Sequence, residues 1–312
     1  MAMNLSRRVT IRQLEVFVHA ARELNFSRVG ETMHLTQPAV SMQIRQLEQA
    51  VGIALFDQVG KRKTLTEAGA LLLEHASRIL GELQDAEQSL QALQGLAGGS
   101  ITVGLVSTAK YFAPKLLAMF GQHHPGIEVR FVVGNRETLV QLLRENQTDL
   151  AVMGRPPREL DTISEPLAEN PNVMVAPVNH RLAKAGRFDI QELRHDTFLQ
   201  REAGSGTRLM MEEFLRGHLF TPVKVATMGS NETIKQAVMA GLGISLLSLH
   251  TLSLELRSGE IALLDIDGLP VQRIWNVVHA RKRQLSPAAV AFRRFLIEET
   301  QTYLNTAFGK LL

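Results

Sequence analysis

The sequence predicts an α/β protein with an all-α N-terminal head, a long linker helix and a two-lobed, doubly wound C-terminal part. Three patterns predict this fold class. Residues 11–51 hold three short amphipathic helical segments, residues 67–96 hold an unbroken heptad pattern, and strand-like and helix-like runs alternate from residue 99 onward. With 312 residues, of which 45% are hydrophobic and 21% charged, the chain suits two or three well-packed domains.

The head is predicted from three helical segments. Residues 11–24 place apolar side chains on one face, and a second short helix over 27–33 ends at the turn His34-Leu35-Thr36. Thr36 is a good N-cap for a third helix, and Pro38 falls in its first turn, where a missing N–H costs nothing. The third helix buries Val40, Ile44, Leu47 and Val51. Three short helices with a tight turn before the third predict a helix-turn-helix.

A β-hairpin wing is predicted to follow. Residues 55–56 and 59–65 form two short extended stretches around a glycine and three cations, and Thr66 caps the next helix. Residues 1–65 hold nine Lys and Arg against five Asp and Glu, whereas the remainder holds 25 against 26. This basic excess in the first fifth of the chain favours a DNA-binding head.

The linker helix is predicted over residues 67–96, about 45 Å at 1.5 Å per residue. Its apolar positions alternate four and three residues apart: Leu72, Ala76, Ile79, Leu83, Ala86, Leu90 and Leu93. This heptad seam predicts a homodimer through two such helices, although a helix packed on its own domain remains the alternative. A glycine-rich linker over 95–99 ends the segment.

The C-terminal part alternates strand and helix. Strands are predicted at 101–107, 127–134, 149–154, 173–177, 223–229 and 243–248, and helices at 114–122, 137–145, 206–217 and 232–241. The pattern predicts a doubly wound arrangement in two lobes, between which the chain crosses near residues 173 and 275. The predicted domains are a head over 1–66, the linker helix over 67–96, a first lobe over 99–172 and 277–312, and a second lobe over 173–276.

Two motifs resemble the LysR-type transcriptional regulators. They are LTQPAVSMQIRQLEQAVGIALFD (35–57) and LTEAG (65–69), and the likeness extends to HPGIEVRFVVGN (124–135) and DLAVMG (149–154). The resemblance implies a winged helix-turn-helix head and a linker helix that dimerises. It also implies a periplasmic-binding-protein-like sensor with its effector between two lobes, and a tetramer built as a dimer of dimers. Double-stranded promoter DNA and RNA polymerase are the implied macromolecular partners.

Five stretches resemble a narrower branch, the regulators of Calvin-cycle (RuBisCO) operons. They cover 107–120, 134–139, 150–160, 201–208 and 229–252. Membership of this branch implies an activator of carbon-fixation genes that responds to a phosphorylated metabolite or NADPH. A LysR-type regulator of another metabolic operon is the nearest alternative.

Two positions depart from the family pattern. Val29-Gly30 stands where many relatives have paired alanines, and the missing methyl of the glycine is expected to loosen a helix crossing. Gln58 stands where an arginine is common in the wing. The cations at 61–63 are expected to supply the lost phosphate contact.

The exposed face of the third helix carries Gln37, Ser41 and Arg45, spaced to enter a major groove together. Gln matches an adenine edge and Arg a guanine edge, whereas Thr36, Thr66 and the wing cations suit phosphates. The alternative is an ordinary solvated helix face. The predicted DNA-binding residues are Thr36, Gln37, Pro38, Ala39, Ser41, Met42, Arg45, Lys61, Arg62, Lys63 and Thr66.

Four polar clusters lie at the carboxyl ends of predicted strands, each just before a helix. In open α/β sheets that edge binds ligands, and helix N-termini favour anions. Nearby cations therefore predict a small anionic effector, although each cluster alone would suit a helix cap. The predicted effector-binding residues are Ser107, Thr108, Lys110, Asn135, Arg136, Glu137, Thr138, Arg155, Arg201, Gly204, Ser205, Gly206, Thr207, Asn231, Glu232 and Thr233.

The sequence disfavours an enzyme, a metal protein, a secreted protein and a membrane protein. The sequence has no cysteine, no GxxxxGK[ST] loop and no GxSxG elbow, and its ten histidines lack metal-ligand spacing, so no enzyme, cofactor or metal site is predicted. No signal-peptide pattern opens the chain, and the longest apolar run, 237–249, is too short to span a bilayer. The expectation is a cytoplasmic protein without membrane contact. A two-lobed solute-binding protein and an enzyme on the same scaffold are the rivals from other classes.

Overall fold

The computed structural model describes residues 8–59, 62–93, 98–309 and 311. The chain divides into two compact units. One comprises residues 1–90 with 144–147, and the other comprises 91–143 with 148–312. The first contains the head and most of the linker helix, and the second contains all of the long mixed sheet.

Three helices form the head: α1 (Ile11–Glu23), α2 (Phe26–Met33) and α3 (Gln37–Val51). Each begins at a side-chain cap, because the oxygens of Thr10, Asn25 and Thr36 accept hydrogen bonds from first-turn N–H groups. Leu24 and His34 end α1 and α2 in the left-handed conformation. The predicted helix-turn-helix is confirmed, including the cap at Thr36 and the turn before α3.

Gly30 fills a position where no side chain fits. A Cβ at this residue would lie 2.6 Å from the carbonyl oxygen of Leu35, and the Leu35 N–H donates to the Gly30 carbonyl at 2.8 Å. Its neighbour Val29 is fully buried. The expectation that this glycine loosens the crossing was therefore wrong, because the backbone of the turn occupies the space of the missing methyl.

The wing is a two-stranded antiparallel hairpin, β1 (Phe56–Val59) and β2 (Arg62–Leu65), and α4 (Glu67–Leu93) follows. The carboxylate of Glu48 on α3 accepts hydrogen bonds from the N–H groups of Leu55 and Phe56. The start of the wing is thus fixed to α3. Residues 94–96, the predicted end of α4, lie outside the described residues.

The heptad positions of α4 divide into two groups. Leu72 and Ala76 pack into the core of the head, and Ala76 is fully buried there. Ile79, Leu83 and Leu90 are exposed, at 47%, 53% and 61%, and Ala86 is exposed as well. The side chain of Leu93 lies outside the described residues. The prediction that Leu72 and Ala76 belong to a dimer seam is therefore corrected, because both contribute to the interior of one head.

The second unit contains fifteen further elements. They are β3 (Gly99–Val106), α5 (Ala113–His123), β4 (Ile127–Gly134), α6 (Arg136–Arg144), β5 (Leu150–Met153), β6 (Thr162–Pro177), β7 (Thr197–Arg201), α7 (Gly206–Gly217), β8 (Lys224–Met228), α8 (Asn231–Met239), β9 (Ser245–Ser248), α9 (Ser253–Ser258), β10 (Ile261–Leu264), β11 (Val271–Ala280) and α10 (Pro287–Phe308). β4 and α7 begin and end as predicted. β7, β10, β11, α9, α10 and the first half of β6 were not predicted.

The unit has two lobes that share two long strands. The main sheet has the order β10-β6-β11-β5-β3-β4, with β9 also on β6, while β7 and β8 form a separate parallel pair. β3 runs parallel to β4 and β5, and β6 and β11 are antiparallel. The first part of β6 pairs with β11, and its last residues pair with β9 and β10. The predicted crossings near 173 and 275 thus fall within continuous strands rather than loops.

Each lobe has its own buried core. The first lobe packs α5 and α10 on the sheet, with Phe112, Phe120 and Phe292 in the interior. The second lobe packs α7 and α8 around β7, β9 and β10, with Phe198 and Leu246 buried. β6 and β11 supply residues to both cores, so the lobes are joined by backbone hydrogen bonding as well as by side chains.

Candidate nucleic-acid interface and ligand cavity

The outer face of α3 presents polar side chains to solvent. Gln37, Met42 and Arg45 are exposed and Ser41 is half-buried, while Ile44 on the opposite face is buried. The Gln37 amide nitrogen Nε2 donates a hydrogen bond to Ser41 Oγ at 2.8 Å. The predicted reading residues therefore share one surface, as their spacing indicates.

Pro38 and Ala39 occupy the first turn of the same helix. Pro38 is exposed and Ala39 half-buried, and Thr36 Oγ1 accepts a hydrogen bond from the Ala39 N–H at 3.3 Å. Pro38 has no N–H and the Ala39 N–H is capped by Thr36, so the Gln37 N–H is the first-turn donor that a phosphate oxygen could approach at this end of the face.

Lys63 is the wing cation whose side chain lies within the described residues. The Nζ atom of Lys63 lies 4.3 Å from the ring centroid of Phe26, a cation–π contact that holds this charge against the head. Lys61 and the side chain of Arg62 lie outside the described residues. Gln58 pairs with Lys63 across the hairpin, so a cation stands beside the position where an arginine is common in the family.

Thr66 has a structural role. Its hydroxyl donates to the Ala54 carbonyl at 2.8 Å and accepts from the Gly69 N–H at 2.9 Å. A Cβ on Gly69 would lie 2.1 Å from the Leu55 carbonyl oxygen, so α4 passes the start of the wing at a distance that only glycine allows. The threonine and glycine of the LTEAG motif thus connect wing and helix. The assignment of Thr66 to a phosphate is corrected, because its hydroxyl is already engaged on both sides.

A polar cavity lies where the two lobes meet. Its volume is about 600 Å³, part of which is open to solvent. It is lined by Val106, Ser107, Thr108, Asn135, Arg136, Met153, Gly154, Arg155, Asn170, Asn172, Ser205, Gly206, Thr207, Met210, Ser248, Arg273 and Trp275.

Parallel strands bring the first part of this lining together. Ser107 follows β3, Asn135 follows β4, and Arg155 closely follows β5. Since β3 pairs in parallel with both neighbours, the three carboxyl ends meet at one edge of the sheet. Of the sixteen predicted effector residues, eight line the cavity: Ser107, Thr108, Asn135, Arg136, Arg155, Ser205, Gly206 and Thr207.

The opposite wall is the N-terminus of α7. Ser205 is the N-cap, but its side chain makes no capping hydrogen bond, and Gly206 and Thr207 follow in the first turn. The backbone N–H groups of this turn have no partner within the helix. Together with the helix dipole, they give this wall a positive electrostatic character.

The charged lining is entirely cationic among the described residues. Arg136, Arg155 and Arg273 reach the cavity, and its lining includes no carboxylate. Glu159, outside the lining, pairs with Arg136 through two hydrogen bonds of 2.8 and 3.0 Å. These bonds lower the pKa of Glu159 to about 2, so the pair stays ionised at neutral pH. An anion would therefore be favoured over a cation.

Neutral polar groups line another part of the cavity. The side chain of Asn170 accepts a hydrogen bond from Ser248 Oγ at 2.7 Å, and the Asn172 amide donates to the Asn170 carbonyl at 2.7 Å. All three residues are buried. Such neutral groups can form hydrogen bonds with the hydroxyl or carbonyl oxygens of a ligand, but they do not neutralise its charge.

The other eight predicted effector residues do not line this cavity: Lys110, Glu137, Thr138, Arg201, Gly204, Asn231, Glu232 and Thr233. Thr138 and Thr233 donate backbone N–H bonds to the capping side chains of Asn135 and Ser230. The Glu137 N–H donates to the Gly204 carbonyl at 3.2 Å. These clusters serve helix capping and contact between loops, which was the alternative interpretation of each.

Lys110 and Glu232 lie beside Tyr111 instead. The Lys110 ammonium is 5.2 Å from the Tyr111 ring centroid, and the Tyr111 hydroxyl donates to Glu232 at 3.1 Å. Glu232 also pairs with buried Lys235 at 3.0 Å. Lys235 also pairs with Glu255 at 2.6 Å, so two carboxylates accompany the two ammonium groups of this cluster.

Arg201 and Asn231 form a buried link close to the cavity. The Arg201 guanidinium, 3% exposed, donates to Asn231 Oδ1 at 2.7 Å and to Ser107 Oγ at 3.1 Å. It also forms two hydrogen bonds with the Glu202 carboxylate. The predicted role as a direct effector ligand is therefore corrected: Arg201 orients Ser107, which does line the cavity.

Sequence reasoning missed the lining from the long strands. Asn170 and Asn172 lie on β6, and Arg273 and Trp275 lie on β11. The signal available was alternation, because Arg273 and Trp275 are two residues apart and so share one face of an extended strand. Ligand sites in parallel sheets lie at strand ends, whereas these four residues lie within strands.

A helix-turn-helix head and wing, followed by a two-lobed unit with a polar cavity between its lobes, define a ligand-responsive DNA-binding regulator. Two family profiles match: "Bacterial regulatory helix-turn-helix protein, lysR family" over residues 11–70 and "LysR substrate binding domain" over residues 94–301. The chain belongs to the LysR family of transcriptional regulators.

Curated relatives cover almost the whole chain. It is 60% identical over 306 residues to the HTH-type transcriptional regulator CfxR of Cupriavidus necator, covering 98% of this chain and 96% of the relative. It is 46% identical over 292 residues to the RuBisCO operon transcriptional regulator of Allochromatium vinosum, covering 93% and 96%. The predicted resemblance to regulators of Calvin-cycle operons is confirmed, and the relatives are regulators rather than enzymes.

Solved structures show the same fold. The regulatory domain of Synechocystis CcmR in complex with 2-PG aligns with a TM-score of 0.61 at 40% identity, covering 64% of this chain and 95% of that chain. Full-length CbnR complexed with its target DNA aligns with a TM-score of 0.65 at 22% identity, covering 92% and 99%.

The described ranges contain no candidate for a membrane-spanning helix and no candidate metal site. No helix there has the length and hydropathy needed to cross a membrane. No cluster of three or more His, Asp or Glu side chains is placed to hold a metal ion in those ranges.

Proposed function

We propose that this protein regulates carbon-fixation genes: the head binds their promoter DNA, and a small anionic metabolite in the cavity tunes its activity. The observation that carries the proposal is the 60% identity to CfxR over 98% of the chain. Several further relatives are named RuBisCO operon regulators or CbbR. The cytoplasm, where the chromosome lies, is the proposed site of action.

DNA recognition is assigned to α3 and the wing. Gln37 and Arg45 are exposed on one face, and they match the major-groove edges of adenine and guanine, each good contact giving roughly 1–3 kcal/mol of discrimination. Met42 and Pro38 offer apolar surface for a thymine methyl group. Thr36 and the wing cations Lys61, Arg62 and Lys63 are assigned to phosphates, which position the head without reading sequence.

The effector is assigned to the cavity between the lobes. Arg136, Arg155 and Arg273 together with the α7 N-terminus attract an anion, and Asn170 and Ser248 match neutral oxygens. This combination fits a phosphorylated metabolite or a nicotinamide nucleotide phosphate such as NADPH. The complex of the related CcmR domain with 2-PG supports the phosphorylated class.

The assembly is proposed to be a dimer through α4, and a tetramer as a dimer of dimers. Ile79, Leu83 and Leu90 expose apolar area along one side of a helix, which a second copy of α4 would cover. RNA polymerase is the proposed partner in activation. A ligand can shift such an assembly only by its difference in affinity between two states.

A ligand screen tests the effector assignment. The full chain should gain thermal stability with 2-PG, ribulose bisphosphate, phosphoenolpyruvate or NADPH, by about 2.7 kcal/mol at one hundred times Kd. Arg155→Gln should abolish this gain. Arg130→Gln, which removes an exposed arginine paired with Glu128 on β4, should keep it. Absence of any shift with all four anions would remove the effector assignment.

A promoter-binding measurement tests the target. The full chain should retain a RuBisCO-operon promoter fragment with at least about a thousandfold preference over unrelated DNA of equal length, as specific regulators do. Equal retention of both fragments at several salt concentrations would contradict the carbon-fixation target, while leaving the family assignment in place.

A further inference from the structure

Two of the three cavity arginines share one carboxylate. Arg155 and Arg273 both line the cavity, and each donates to the side chain of Glu213 on α7, at 2.5 Å in both cases. One donor goes to each carboxylate oxygen, Oε1 from Arg155 and Oε2 from Arg273. Glu213 itself is not part of the lining, but its carboxylate engages guanidinium groups of two residues that are.

The charges of this cluster do not cancel. One carboxylate faces two guanidinium groups, whereas Arg136 has the Glu159 carboxylate to itself. Partial burial raises the pKa of Glu213, but hydrogen bonds from Arg155 and Arg273 outweigh it and leave the pKa lowered. Glu213 is therefore ionised at neutral pH, and one positive charge beside the cavity remains uncompensated.

We propose that Glu213 is an internal competitor of the effector: its carboxylate engages the arginines that an anion needs, and the anion binds by displacing it. This inference rests on the proposed effector site. It also specifies the ligand class. A monocarboxylate would only exchange one carboxylate for another, whereas a phosphate carries up to two charges and three acceptor oxygens and can engage both guanidinium groups more strongly. Because displacing Glu213 costs every anion the same free energy, only a ligand that binds both guanidinium groups strongly, such as a phosphate, occupies the cavity at low concentration.

Displacement also changes the link between the lobes. Glu213 lies on α7 in the second lobe, and Arg155 follows β5 in the first. Their ion pair is therefore a contact between lobes that exists only while the arginine is not taken by an anion. Effector binding replaces this contact with one through the ligand, which couples occupancy of the cavity to the arrangement of the lobes.

The test compares two neighbouring glutamates in the full chain. Glu213→Gln keeps the shape of the side chain and removes its charge, and we expect 2-PG to bind about tenfold more tightly by calorimetry. Glycolate, a monocarboxylate, should gain by a similar factor, because the competitor that is removed penalises both anions equally. Glu212→Gln is the control, because Glu212 pairs with Arg208 at 2.7 Å, outside the cavity lining, and its affinity should be unchanged.

The outcomes separate this inference from the effector proposal. If the wild type binds 2-PG and Glu213→Gln binds it equally or more weakly, Glu213 only positions the arginines, and the displacement mechanism is wrong while the effector site stands. If neither protein binds 2-PG or ribulose bisphosphate, both proposals fail. Should Glu213→Gln fold poorly, Glu213→Asp keeps the charge with a shorter reach, and it should tighten 2-PG binding by a smaller factor.

Discussion

At the residue scale, a hydrogen bond joins Gln37 and Ser41 on the proposed DNA-reading face of α3. An amide group has two N–H donors and one carbonyl acceptor. One donor of Gln37 goes to Ser41 Oγ, which leaves the other donor and the acceptor for the two-point pattern that adenine presents in the major groove. In the proposed recognition of DNA, Ser41 is therefore a positioning residue for Gln37. A spacing of four residues, visible in the sequence, is enough to create this pair on a helix.

Gln37→Ala should relax sequence preference at one base pair, with a loss of about 1–3 kcal/mol of discrimination and little loss on unrelated DNA. Lys61→Ala should instead weaken binding to all DNA similarly and reduce the slope of log affinity against log salt by about one. A filter-binding salt titration on specific and random duplexes distinguishes them. Identical behaviour of the two variants would refute the division between base and phosphate contacts.

Single residues also show where sequence prediction succeeds. Thr36 was predicted as a cap because an N-cap depends only on the next three residues. Thr66 also caps the next helix, but its second hydrogen bond reaches Ala54, twelve residues away, and no local pattern reveals that bond. The same limit applies to Gly69, whose necessity depends on how closely the Leu55 carbonyl approaches.

At the element scale, one apolar stripe of α4 has a buried part and an exposed part. The first positions of its heptad pattern pack into the head, and later positions are exposed on the same helix. An apolar residue is equally suitable in an intramolecular core and in an intermolecular seam. The sequence therefore shows an apolar stripe, but it cannot show that Ala76 is buried in the head while Ile79 is exposed, because that difference depends on where the head ends.

Leu83→Glu should dissociate the dimer, because two copies of the helix would bring like charges into an apolar seam. We expect the dimer Kd to rise by at least about tenfold, which corresponds to 1.4 kcal/mol. Gln84→Glu introduces the same charge at the adjacent exposed position and should leave the dimer intact. Sedimentation equilibrium measures both. An unchanged Leu83→Glu dimer would show that another surface joins the subunits.

Strands also differ in whether neighbouring residues or distant strands determine where they form. β4 is short and bounded by Pro125-Gly126 and Gly134, and its predicted ends match the structure. β6 contains Pro166 and Pro171 and alternates buried with exposed residues only in part, so its first half was not predicted. Pairing with β11 along residues 162–172 keeps this irregular segment extended, and β9 and β10 pair only with the last residues of the strand. Cavity residues on β6 were missed for this reason.

At the scale of the whole molecule, one buried cluster connects the cavity to both lobes. Trp275 lines the cavity, and its indole Nε1 donates to His250 Nδ1 at 3.1 Å. The His250 ring lies 4.9 Å from that of Phe308 at the end of α10 and 6.2 Å from that of Phe112 in the first lobe. His250 follows β9 of the second lobe, whereas Phe112 and Phe308 belong to the core of the first lobe. These ring contacts therefore connect both lobes to the cavity wall at Trp275.

This cluster predicts a dependence of stability on pH. Burial lowers the pKa of His250 to about 4, below the usual value of about 6.5 that it has when unfolded. The unfolded chain therefore binds the extra proton first as pH falls, and the neutral histidine stabilises the fold fully above pH 6.5 and progressively less toward pH 4. Protonation at Nδ1 would also break the bond from Trp275. About 1–2 kcal/mol should be lost at pH 5.

Urea unfolding followed by fluorescence measures this loss, because Trp275 is the single tryptophan of the chain. His250→Gln keeps an acceptor for the indole without a titrating group. The wild-type advantage over the variant should shrink between pH 7.5 and pH 5, while groups common to both proteins, including His279, whose pKa burial also lowers, cancel in the comparison. A difference that stays constant with pH would mean that His250 does not titrate in this range, and that its contact with Trp275 persists in acid.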